Sequence, residues 1–539
     1  MSTILFLNGT IYTMDAAQPR AQALAIDSTS GRIVAVGDND EVRRVGGQQS
    51  ELVDLRGKTV LPGFIDAHIH LLSYAYRAHY IDAGGCTGED EVAALVRQRA
   101  TQTPRGQWIL GGQWDKNTWP GQQFPTRASL DAAAPEHPVA LWSKDCHLLW
   151  VNSLALQRAN VTAHTPEPAN GAILRDGAGE PTGILQEEEA TGLVYHVIEE
   201  PDPALTRLLV QDALAQLQRS GITTIHEIEG QSALHLLQQL RDEGALGVRV
   251  QMILPRQVLP QLRTVGLRSG FGDDLLSLGG IKIFADGTLG SQTAAMLESF
   301  ENNPSNRGIL TLPEQELKET VRDAAEMGIS IAIHAIGDRA ARVALDGIEQ
   351  AQRFLADHGP DTASVRLRYR LEHVQLIALE DLERMRRLGV IASVQPFHAV
   401  ADRDVAERYW GKRHRYAYAY RTMQQMGIPL ALGSDAPVET FDPLRILYAA
   451  TRRNDTVTPE RPPWLPDQAL SIEQALWGYT LGAAYAGAEE QHKGSLTVGK
   501  LGDAVVLRED ILHVPQERMS ENGVQATILG GKVVYGEVG

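Results

Sequence analysis

The chain has 539 residues, 43% of them apolar and 22% charged, with a formal net charge of −17. Those fractions lie near globular averages and exclude a disordered or fibrous class, while the acidic balance argues against a nonspecific nucleic-acid surface, which needs clustered Lys and Arg. No stretch approaches the ~20 apolar residues that cross a bilayer, and no basic region with an apolar signal core opens the chain, so no membrane partner is expected and a cytoplasmic location is the default.

The first elements in chain order are short strands separated by turn residues, over 4–13, 23–26 and 32–37. The tail repeats that style over 494–507 and 526–535, with glycines at the turns. Neither half-sheet can bury its apolar face alone, so residues 1–60 and 489–539 are expected to pair into one small β-sandwich. Cys86 and Cys146 are the only cysteines, too few for a disulfide framework, and both are expected to be reduced.

Between these ends, strand-like runs alternate with segments of helical period at 91–99, 205–219, 232–242, 313–327, 340–356 and 379–388. That is the signature of repeated βα units and a parallel sheet. Strands are expected near 63–68, 222–227, 248–254, 280–285, 331–334, 369–373, 390–395 and 429–434, enough to close a TIM (β/α)8 barrel spanning 61–488. The interval at about 71–220 is far longer than a βα connection requires, and is expected to be an insertion that shapes the substrate pocket.

Chemistry-bearing residues stand at the tails of the apolar runs. His68 and His70 are two apart, so on an extended segment both imidazoles point to one side and can reach one cation. His334, His373 and Asp435 each end a later run, and imidazole with carboxylate is the usual ligand set of Zn and related ions. Lys282 lies in the run between them.

The chain resembles the amidohydrolase superfamily of metal-dependent hydrolases, and within it the YtcJ-like branch that includes N-substituted formamide deformylases. The resemblance is carried by Pro62-Gly63-Phe64-Ile65-Asp66-Ala67-His68-Ile69-His70, Lys282-Ile283-Phe284-Ala285-Asp286-Gly287 with Gly290-Ser291, His334-Ala335-Ile336-Gly337-Asp338-Arg339, Glu372-His373-Val374-Gln375, and Gly433-Ser434-Asp435-Ala436-Pro437-Val438-Glu439. It covers essentially the whole chain. It implies the barrel with its sandwich and a centre of one or two divalent ions. His68, His70 and Asp435 would hold the more buried ion, and His334 and His373 the second. Lys282 would bridge the two as a carbamate; its alternative is a structural or substrate-binding ammonium. The ligand types suit Zn, with Mn, Fe, Co or Ni open.

The reaction so implied is hydrolysis of an amide C–N bond (N-acyl, N-formyl or cyclic) by a metal-bound hydroxide, with Asp435 as general base and then acid and His373 as the second catalytic residue. An ester, lactone or phosphotriester hydrolase, or a non-catalytic scaffold of the same fold, is the alternative. The partner is a small-molecule substrate, and association into a homodimer is compatible with the architecture. His147, Asp286, Ser291, Arg307 and His398 are candidate substrate-binding residues, each with a structural alternative; Trp114, Trp119 and His226 are further candidates for the barrel mouth. Glu187 opens three successive glutamates, a pattern expected of a solvated helix face. Tyr416, Tyr418 and Tyr420 alternate either as a pocket wall or as local packing. No Gly-rich phosphate loop appears.

Overall fold

Apolar runs of strand length form a parallel sheet in which each strand pairs with the next in the chain. Its members are Phe64–Ile69 (β1), Ile222–Glu227 (β2), Arg249–Pro255 (β3), Leu276–Phe284 (β4), Ser330–Ala335 (β5), Tyr369–His373 (β6), Ile391–Val394 (β7) and Leu430–Leu432 (β8). A computed structural model describes residues 3–47, 50–77, 79–199, 201–301, 303–358 and 366–538. The strands are buried nearly throughout, as expected of a sheet covered on both faces. Helices return between them. Pro203–Arg219 shows why such a segment is helical: Asp202 caps it, Pro203 stands in the first turn, and Val210, Ala213, Leu214 and Leu217 form one buried stripe.

The two ends of this sheet meet just beyond β1 and β8. The Asp435 amide donates to the His68 carbonyl at 2.7 Å, and the His70 amide to the Ala436 carbonyl at 2.9 Å. Asp66 tightens the seam, its carboxylate accepting from the amides of His68 at 3.1 Å and Ser434 at 2.9 Å. Gly433 is required there, since a Cβ would lie 2.6 Å from the His68 nitrogen. The fold is a TIM barrel.

The chain ends pair as expected. Ala504–Leu507 runs antiparallel to Thr59–Pro62 within a six-stranded sheet, and a four-stranded sheet built from Thr3–Leu7, Ala23–Asp27, Ile33–Gly37 and Glu51–Asp54 packs on it. Phe6, Leu24 and Ile26 from one sheet and Ile11, Val60, Val506 and Ile528 from the other share one core. Arg249 at the start of β3 binds Asp503 through two contacts, 2.6 and 2.8 Å, tying this unit to the barrel.

The interval after β1 holds its own six-stranded sheet, from Ile81–Asp82 to Pro181–Gln186. Strand alternation buries it on both sides: Leu148 and Trp150 face one core and Leu149 and Val151 the other. Both cysteines are free thiols. Among the described residues no helix is long and apolar enough to cross a membrane.

Candidate active site

The carboxyl ends of the barrel strands converge on a cavity of about 240 Å³. His68, His70, Lys282, His334, His373 and Asp435 all line it, together with His147, Ser291 and His398. Two of these residues have left-handed backbone, His373 at φ 73° and Asp435 at φ 60°. Such a conformation in a non-glycine residue costs on the order of 1–3 kcal/mol and persists where surrounding contacts impose it. Here it turns the last residue of β6 and the third residue beyond β8 into the mouth.

Asp435 is the hub. Its Oδ1 lies 3.3 Å from His68 Nε2 and 3.2 Å from His70 Nε2, and its Oδ2 lies 3.8 Å from His373 Nδ1 and 3.6 Å from His398 Nε2. Burial favours the neutral acid, but the facing histidines outweigh it and hold the carboxyl well below the usual range. Burial, reinforced by Lys282, lowers His68 to about 4, and burial takes His334 and His373 well below their ordinary value.

The Nδ1 atoms of three of these histidines are already engaged. His68 Nδ1 meets Glu372 Oε2 at 2.6 Å, His70 Nδ1 meets the Ile228 carbonyl at 2.7 Å, and His373 Nδ1 meets Gln395 Oε1 at 2.9 Å. Fixing one ring nitrogen as a donor leaves the other as a lone-pair ligand, the pattern of metal-binding histidine. Two ligands about 2.0 Å from a tetrahedral ion stand about 3.3 Å apart, matching both Asp435 Oδ1 distances. His68, His373 and Asp435 also offer ligand atoms within 4.8 Å of one another. The donor set therefore fits a divalent ion.

Lys282 Nζ lies 3.3 Å from His68 Nε2 and 4.9 Å from the centre of the Phe284 ring. Burial lowers its pKa from 10.5 to about 8, against the pull of Glu372 and Asp435. His334 Nε2 faces the Gly287 carbonyl at 3.1 Å, and its ring centre is 4.5 Å from that of His373.

Several expected pocket residues lie elsewhere. Asp286 is wholly buried outside the cavity wall, where its carboxylate accepts from the amides of Ala295, Ile336 and Gly337 at 2.8, 3.1 and 2.8 Å. That saturation makes it a clamp between the β4 and β5 loops. Arg307 is exposed and does not line the cavity. His226 lies beneath the site, bonded to Arg370 at 2.9 Å. Trp119 belongs to the core of the insertion with Trp150, whereas Trp114 both packs there and touches the cavity. Tyr418 and Tyr420 pack inward, Tyr418 donating to Asp402 at 2.6 Å and Tyr420 to the carbonyl of Gln395 at 3.1 Å.

Glu187 departs furthest from expectation. It is buried rather than on a solvated face, and its Oε2 meets His147 Nδ1 at 2.7 Å. Burial would discharge His147, but Glu187 holds its pKa up to about 9. Ser291 donates to Asp145 at 2.6 Å, joining the β4 loop to the insertion. Glu372, its partner Arg370 at 2.8 Å, and Gln395 were not singled out as site residues. Arg370 and Glu372 are two apart on β6, and that period-two spacing into a barrel interior was the available signal.

A parallel barrel with histidines and an aspartate at its carboxyl mouth defines a TIM-barrel hydrolase. The sequence pattern of the amidohydrolase family matches residues 51–535, and the chain belongs to that family. It is 32% identical to the protein LONG AFTER FAR-RED 3 of Arabidopsis thaliana, over 99% of this chain and 92% of that one. It is 28% identical to YtcJ of Bacillus subtilis strain 168, over 98% of both chains. Identity to the N-substituted formamide deformylase of Arthrobacter pascens is 29%, over 100% of this chain and 99% of the relative. The crystal structure of an uncharacterized metal-dependent hydrolase from Pyrococcus horikoshii OT3 superimposes with a TM-score of 0.75 at 28% identity, covering 95% and 99% of the two chains.

Proposed function

We propose that this hydrolase is metal-dependent and cleaves the C–N bond of a small N-acyl, N-formyl or cyclic amide. The observation that carries the reading is the convergence of His68 Nε2 and His70 Nε2 on one oxygen of Asp435 with both Nδ1 atoms held from behind. The formamide deformylase relative supports the bond type.

His68, His70 and Asp435 would hold one divalent ion, zinc being the natural match for this donor set, and His334 and His373 a second. When bound, such an ion supplies Lewis acidity, easing ionisation of water and polarising the substrate carbonyl. Asp435, ionised in its histidine setting, takes the proton of the attacking water and returns it to the leaving nitrogen. His398, 3.6 Å from Asp435 Oδ2, and His147, charged by Glu187, orient the substrate's polar atoms. Lys282 is proposed to be carboxylated by dissolved carbon dioxide: its lowered pKa makes neutral amine accessible near neutral pH, the amine nitrogen adds to the carbon dioxide carbon and releases a proton to solvent, and the resulting carbamate replaces a cation beside His68 with an anion.

The test combines metal content per chain, intact mass and a panel of formamides, N-acyl amines, cyclic amides, lactones and phosphotriesters. One or two ions per chain, with amide turnover removed by chelation and restored by Zn or Mn, is the expected result. Turnover of lactones or phosphotriesters alone would move the assignment to those bonds, and absence of recoverable metal would overturn it.

A further inference from the structure

Three cavities meet at the barrel mouth, and Lys144 and Glu439 are the two residues lining all three. The catalytic cavity holds about 240 Å³, an outer chamber about 810 Å³, and a side chamber beside Trp464 about 300 Å³. Lys144 Nζ and a Glu439 carboxylate oxygen are 2.7 Å apart. Lys144 follows the insertion strand Val139–Ser143, and Glu439 stands on the loop after β8, so the pair joins two separate units. Burial opposes the ammonium, but Glu439 holds the Lys144 pKa above the ordinary lysine value.

The platform under this contact is fastened independently. Arg77 Nη1 and Gln113 Nε2 both donate to the carbonyl of Pro437, at 2.8 and 3.2 Å, so the loop does not depend on the ion pair for its position. Lys144 retains 35% of its side-chain exposure, and a flexible stem of this kind can swing without refolding the walls.

The outer chamber also indicates what it would take. Tyr74, Phe397 and Phe441 line it, with Tyr74 and Phe441 edge to face at 4.9 Å. Its cations are already occupied: Arg77 bonds Asp82 and Pro437, while Arg445 bonds Asp455 at 3.1 Å and lies 4.8 Å from the centre of the Phe397 ring. Asp82, Asp115 and Asp442 also line the chamber, each already accepting a hydrogen bond, from Arg77, the Asn117 amide and the Leu444 amide, so the ring faces of Tyr74, Phe397 and Phe441 are the unengaged surfaces, suited to a neutral aryl or alkyl group.

We propose that the Lys144–Glu439 ion pair is the specificity-determining partition of the catalytic cavity, restricting the length of the amine substituent and, when open, admitting an aryl or alkyl group into the outer chamber. The proposal rests on the amide-hydrolase reading for its substrate class.

The experiment replaces both partners together, as K144A/E439A, so that neither charge is left alone. N-methyl-, N-benzyl- and N-(naphthylmethyl)formamide are assayed with the metal-loaded full chain. The expected result is a rise of about tenfold or more in the long-to-short ratio of kcat/KM, the scale set by apolar substituents in a pocket; an unchanged ratio overturns the partition. Calorimetric binding of the same compounds separates this from failure of the hydrolytic reading. Without turnover, tighter binding of the longest compound by the variant still supports the partition, and equal or undetectable binding by both proteins overturns it. If circular dichroism shows that the double alanine variant does not fold, K144M/E439Q, which keeps volume while removing charge, is read in the same way.

Discussion

His68 and Glu372, 304 positions apart, meet through a 2.6 Å contact between Nδ1 and Oε2 in the fully buried floor of the site. Burial disfavours the Glu372 carboxylate, but Arg370 and His68 outweigh it and hold its pKa well below the ordinary value. The anion fixes the proton on His68 Nδ1 and leaves the Nε2 lone pair for the proposed ion. E372Q is therefore expected to weaken metal binding about 10- to 100-fold, measured by competition with a chromogenic chelator. Unaltered affinity would show that the contact does not tune the ligand.

Asp435 is proposed to supply both a ligand oxygen and the proton transfer. D435N preserves shape but removes the base, so kcat is expected to fall about 10²- to 10⁴-fold with a smaller change in KM. Metal content is measured on the same sample, because loss of metal and loss of the base both reduce turnover. A metal-loaded D435N with near-normal kcat would remove Asp435 from the chemistry.

Glu187 and His147 lead to a pH dependence. The folded His147 pKa, about 9, exceeds its ordinary 6.5, so the stability supplied by the charged pair is fully present below pH 6.5 and is lost as pH rises through about 9. E187Q removes the partner, and His147 is expected to titrate well below 9. Histidine-selective NMR, assigned through H147N, reads the change directly; an unchanged midpoint would mean that another group holds the charge.

Arg249 and Asp503 form a pair with 6% side-chain exposure on each partner, joining β3 to the terminal sheets. D503A strands a buried guanidinium, and breaking such a pair costs about 3–5 kcal/mol. The double replacement R249M/D503L is expected to recover much of that loss. Thermal unfolding midpoints of the three proteins test this, and a single variant as stable as the parent would contradict it.

Local periodicity made the barrel strands and most helices legible, because core-facing residues must recur at the period of the backbone they stand on. The same rule exposed His68 and His70, and strand ends exposed His334, His373 and Asp435. Composition and spacing could not distinguish Asp286 as a buried clamp from Asp286 as a substrate ligand. Its role depends on three amides contributed by residues 9 to 51 positions away. Likewise, the run Glu187-Glu188-Glu189 reads as solvated in isolation, and burial of Glu187 follows from packing against His147 and Gly287. There a glycine Cβ would come within 2.2 Å of the Glu187 carboxylate. Sequence by itself determined which residues stand at strand ends, since that is a local property of the chain. Tertiary structure alone decided which nitrogens remain free, which carboxylates are ionised and where the cavity is divided, because each depends on groups brought together by barrel closure and docking of the insertion.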